Sequence, residues 1–112
     1  MTITINQLAE RVRKLAAEQP DHEAECRYVT TGSDKPMCIM GCALHAEGVS
    51  LDTLAAYEGK DIYVILRDLP DIEHPTDFQA AWFSTVQSLQ DGSSTWAEAV
   101  ALADHEFKGV AQ

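Results

Sequence analysis

Apolar residues recur along most of this chain at helical spacing, and the polar breaks between them carry helix-capping residues. Ile5, Leu8, Val12, Leu15 and Ala16 share one side of a first helix, with Glu10, Arg11, Arg13, Lys14 and Glu18 opposite. Thr4 to Gln7 is a T-x-x-Q capping box ahead of it, with Ile3 placed to staple onto Leu8, and Pro20 stops the helix near Gln19. Pro36 can begin a second helix that runs to about Glu47, where Gly48 fits the C-terminal cap. Ser50 caps a short third helix that ends at Gly59, with Val49 placed to staple onto Leu54. Asp61 caps a fourth, in which Ile62, Ile65, Leu66 and Leu69 fall together and Pro70 ends the run. The stretch Ile62–Leu66 also fits a buried strand, but its spacing and the lack of a partner strand favour helix. A second T-x-x-Q box, Thr76 to Gln79, opens a fifth helix ending at Gly92, with Phe78, Trp82, Val86 and Leu89 as its apolar stripe. Phe83 points away from the centre of that stripe and is the aromatic expected to be exposed. Thr95 to Glu98 is a T-x-x-E box for a sixth helix, with Trp96, Val100, Ala103 and Phe107 inward.

Residues 20–36 break this pattern with Pro20, Gly32, Ser33, Asp34 and Pro36. Tyr28-Val29-Thr30-Thr31 within them has strand character, which leaves room for a minor β element near residues 26–31. No repeat, low-complexity tract or linker divides the chain. The expected fold is therefore all-α, a compact orthogonal bundle of about five to six helices, with residues 1–112 forming a single domain.

Charge adds what the hydrophobic pattern does not show. Eighteen Asp and Glu against eight Lys and Arg give a formal net charge of −10 over 112 residues. Residues 1–36 are nearly balanced, with six acids and five bases, whereas residues 37–112 carry twelve acids and only Lys60, Arg67 and Lys108. Such a field repels phosphates and anionic headgroups, so neither direct nucleic-acid nor membrane binding is expected. No stretch reaches the length of a membrane span. The opening Met1–Asn6 has neither a basic start nor a long apolar run, so no export signal is expected and the location is expected to be cytoplasmic, with reduced thiols.

Three cysteines, Cys26, Cys38 and Cys42, cannot all pair within one chain. On a helix Cys38, Cys42 and His45 would share a face, with Cys26 in the preceding loop as a fourth ligand of the kind structural zinc uses. The spacing lacks the usual C-x2-4-C knuckle, and small buried thiols commonly pack as hydrophobes. Cys38 near a helix start would be a candidate nucleophile, but His45 lies two turns away and no third group orients it. His22, His74 and His105 each sit beside acids, and no phosphate-loop, dinucleotide or H-E-x-x-H pattern is present. The chemistry therefore points away from an enzyme and calls for no cofactor. The candidate protein-binding residues are Trp82 and Phe83, as an aromatic hot spot, with the carboxylates Asp61, Asp68, Asp71 and Glu73.

The segment Cys38-Ile39-Met40-Gly41-x-Ala43-Leu44-His45, followed by Gly48-Val49 and Leu51-x-x-Leu54, resembles a C-[IL]-[VIM]-G-x-A-L-H…G-V pattern. Thr95-Trp96-Ala97-Glu98-Ala99-Val100-x-x-Ala103-Asp104 is the second motif. Together they resemble small accessory proteins of mycobacteriophages and other actinobacterial phages, over roughly residues 4–108. The resemblance implies a product working in the host bacterial cytoplasm, and some such products bind and impair a host protein. It transfers no catalytic residue, and its pattern includes Cys38 and Gly41 but not Cys42. The expectation is a non-enzymatic protein that binds, and in some cases inhibits, a host protein with a basic or apolar surface. Two alternatives stand beside it. One is a DNA-mimic inhibitor using Asp52, Glu58, Asp61, Asp68, Asp71, Glu73 and Asp77 as phosphate-like charges; the other is a small zinc-binding or cysteine-dependent protein.

Overall fold

A computed structural model describes residues 2–24, 27–30 and 35–110. Among them are six helices: α1 (Ile5–Glu18), α2 (Ile39–Ala46), α3 (Leu51–Ala56), α4 (Ile62–Asp68), α5 (Asp77–Asp91) and α6 (Trp96–Glu106). The expected all-α fold is present, and the Ile62–Leu66 stretch is helical. Each helix starts on a side chain that accepts a backbone N–H which the first turn leaves without a partner. Thr4, Thr76 and Thr95 form complete reciprocal capping boxes with Gln7, Gln79 and Glu98. Ser50 and Asp61 cap α3 and α4 with single hydrogen bonds.

α2 departs from the expected boundary. It begins at Ile39, three residues later than Pro36, and its cap is the Cys38 sulfur, which accepts from Gly41 N at 3.3 Å. The reason is a competing use of the backbone. Residues 35–38 run extended against 27–30: Thr30 N donates to Lys35 O, Met37 N to Tyr28 O and Cys38 N to Arg27 O, each at 3.0 Å. This makes the single antiparallel bridge Val29–Pro36, the whole of the minor β element among the described residues there. Thr31 and Cys26 lie outside the described residues. A second bridge, parallel, joins Ile3 to Ile72 and ties the start of the chain to the α4–α5 connection.

One buried core draws on all six helices, from Ile5, Leu8 and Val12 through Met40, Leu44, Leu54 and Ile65 to Trp82, Phe83, Trp96 and Ala103. α5 packs along α6 and against α4, while α1 bridges α2 and α6. α2 passes so close beneath the 27–30 segment that a Cβ on Gly41 would lie 2.2 Å from the Tyr28 carbonyl oxygen. The C-x-x-G spacing therefore does two jobs at once: the cysteine caps the glycine's N–H, and the glycine admits the crossing strand.

Candidate functional site

The two aromatics singled out as a hot spot are both core residues. Trp82 and Phe83 are fully buried, and the expectation that Phe83 is exposed is corrected. The buried side of α5 is centred on Trp82, Phe83, Val86, Gln87 and Gln90 rather than on the line from Phe78 to Leu89. Neighbours on two sides cause this: α6 covers the Trp82 side, while α4 and α2 cover the other. Trp82 Nε1 donates to Asp104 Oδ1 at 2.9 Å, and Arg13 both pairs with Asp104 at 2.6 Å and lies over the Trp82 ring at 4.9 Å. Those three residues clasp α1, α5 and α6 together. Phe78, expected inside, is half exposed at the first turn of α5, where its ring packs edge to face with that of Phe107 at 5.5 Å. Tyr63 and Leu102 are the other exposed large apolar residues among those described.

The apolar pattern also missed two buried glutamines. Gln87 Oε1 accepts the Ile62 N–H at 2.7 Å, and Gln90 Oε1 accepts the Ile39 N–H at 2.8 Å. Each therefore satisfies an N–H at the start of a neighbouring helix, so α5 anchors the first turns of α4 and α2 from inside the core. Gln87 Nε2 donates to the Tyr28 hydroxyl at 2.8 Å, which donates to Lys60 O at 2.5 Å. Burial pushes the Tyr28 phenol well above its ordinary range. The signal in the sequence was two glutamines three apart, on the side of α5 that the chosen stripe left out.

The carboxylates differ in how they are held. Asp61 accepts from Tyr63 N and Ser84 Oγ, both at 2.8 Å, and Glu73 accepts from Ile5 N at 3.0 Å, at the start of α1. Glu58 accepts from Tyr28 N at 2.7 Å and pairs with Arg27 at 3.5 Å. These three hold the fold. Asp68 pairs with its exposed neighbour Arg67 at 3.2 Å, a contact of little energy at the surface. Asp68, Asp71, Glu73 and Asp77 are all exposed, and they fall within one segment, residues 68–78, that contains no Lys or Arg and ends on Phe78.

Among the described residues, Cys38, Cys42 and His45 do not assemble as a ligand set. Cys38 Sγ serves the α2 cap, Cys42 Sγ donates to Met37 O at 3.7 Å, and His45 Nδ1 lies 3.0 Å from Val49 O. The proposed fourth ligand, Cys26, lies outside the described residues. Burial pushes the Cys38 thiol up to about 12, with Asp91 adding to it against the opposing Gly41 hydrogen bond. Burial raises Cys42 as well. Both shifts disfavour the thiolate that a nucleophile or metal ligand requires. No group of three or more His, Cys, Asp or Glu among the described residues is placed to hold a metal ion.

One hollow lies at each end of α2, next to Cys38 and next to Glu47 and Gly48. One, of about 280 Å³, lies over Tyr28, Cys38, Lys60 and Gln87. The other, of about 520 Å³, lies between the opening residues, the α2–α3 turn and Leu69–Asp71. No described helix is long and apolar enough to cross a membrane. No protein-family model matches the chain, and no curated protein or solved structure is detectably similar to it.

Proposed function

We propose that this is a non-enzymatic binding protein, a phage accessory product that docks onto a basic surface of a host cytoplasmic protein. The docking surface is the α4–α5 connection. The observation that carries this reading is the segment from Asp68 to Phe78: the exposed carboxylates Asp68, Asp71 and Asp77 beside the fold-holding Glu73, no Lys or Arg within it, and a half-exposed aromatic at its end. Clustered like charges speed and orient encounter with an oppositely charged partner, and an aromatic at the edge supplies contact area on arrival. The motifs around Cys38 and Thr95 support the phage assignment by resemblance. The buried Cys38 thiol supports a non-catalytic role. The DNA-mimic alternative needs its carboxylates free, and Glu58, Asp61 and Glu73 are held on backbone N–H groups instead.

The test is crosslinking in an actinobacterial host, comparing the wild-type chain with Asp68→Lys/Phe78→Ser. A specific host protein should be recovered with the wild type and lost with the double variant, while the melting temperature changes little. Recovery of no specific protein, or equal recovery by both chains, would refute the proposal.

A further inference from the structure

The 520 Å³ hollow is within the range of ligand-binding clefts, and it adjoins the acidic connection through Asp71. Its apolar lining comes from Ile3, Val49, Leu69 and Pro70, and its carboxylates are Glu47 and Asp71. No Lys or Arg lines it. Its walls are fixed in place. Ile3 N donates to Asp71 O at 2.7 Å and Glu73 N donates to Ile3 O at 2.8 Å, which holds the opening residues against the α4–α5 connection. Glu47 is turned toward α1 by Arg11 Nε at 2.8 Å, which leaves Asp71 as the exposed charge on the rim.

We infer that this groove takes a short linear segment of the protein partner, with an aliphatic side chain over Val49 and Leu69 and an adjacent lysine or arginine on Asp71. The inference rests on the binding-protein reading and names the partner's chemistry. Charge complementarity selects the occupant: an apolar floor with an acidic rim and no Lys or Arg among the described lining residues rewards an apolar residue beside a basic one, and it disfavours acidic peptides and anionic small molecules. A preformed groove also lowers the ordering cost of binding.

The probe is a capped hexapeptide of alternating leucine and arginine, titrated into the isotope-labelled full chain and followed by amide chemical shifts. Saturable shifts are expected at Gly48, Val49, Thr53 and Asp71. Asp71→Lys should weaken the peptide about tenfold. Thr53→Trp, which fills the groove, should abolish the shifts while leaving the rest of the spectrum in place. Replacing the leucines with serine, or the arginines with glutamate, should abolish them too. Four results would overturn the inference: no saturable shift, shifts confined to residues 73–78, equal binding of the serine peptide, or self-association at these same amides without peptide. The crosslinking comparison uses Asp68 and Phe78, outside this groove, so failure of the groove and failure of the binding-protein reading give different results.

Discussion

At the scale of single residues, Gly41 is the position with the least freedom. Its N–H is capped by the Cys38 sulfur, and its missing side chain is where the Tyr28 carbonyl passes. Both neighbours are backbone or buried, so neither yields cheaply. Gly41→Ala should therefore destabilise the fold by about 2–3 kcal/mol, despite alanine's better helix propensity, as read from urea unfolding. Stability unchanged or raised would mean the 27–30 segment does not cross there. Gln87 and Gln90 show the same economy at another site. A core position usually given to Leu carries an amide, because two helix starts end against it and their N–H groups have no water to turn to.

At the scale of elements, α5 separates what is local from what is not. Its cap, its start and its length follow from Thr76, Gln79 and the turn after Asp91, all within a few residues of one another, and so they are legible in the sequence. The same holds for the caps at Thr4, Ser50, Asp61 and Thr95. Which side of α5 is buried depends on α6, α4 and α2, and the apolar line through Phe78 and Leu89 gave a rotated answer. Phe83→Ala should cost about 3–5 kcal/mol, the range for removing a fully buried aromatic. Phe78→Ala should stay within about 1 kcal/mol, since that ring is half in solvent. Thermal melts of the two variants check this, and a reversed order would restore the original stripe. α2 teaches a related lesson. Pro36 has the residue type for a helix start, but its neighbours' hydrogen bonds go to residues 27–30, the segment whose strand character was legible while its pairing with 35–38 was not. For the candidate surface, the acids Asp68, Asp71 and Glu73 were legible because charge stays outside; the aromatic choice was not, because Trp82 and Phe83 needed the whole core to be placed.

At the scale of the whole molecule, two properties follow from where protons and charges sit. The first is alkaline sensitivity. Cys38 is raised from 9.0 to about 12, and Tyr28 is also raised, both by burial. The unfolded chain releases these protons at lower pH than the folded one, so their contribution is fully present below about pH 9 and is lost as pH climbs toward 12. Unfolding free energy should fall across that window, and the fall should be shallower in Cys38→Ala, which is less stable at pH 7 through loss of the cap. An equal slope in both chains would mean Cys38 is not buried as a neutral thiol.

The second property is the charge imbalance. Some of the carboxylates after residue 36 hold backbone N–H groups or pair with Arg11 and Arg13, while Asp68, Asp71 and Asp77 lie exposed in the segment that ends on Phe78. On the proposed reading, the α4–α5 connection is the surface through which the protein acts. The most direct measurement is crosslinking in the host with wild type and Asp68→Lys/Phe78→Ser side by side. The account predicts one host protein, crosslinked near residues 68–78 and lost with the double variant. Its recovery in equal amount by both chains, or crosslinks only on another face, would contradict it.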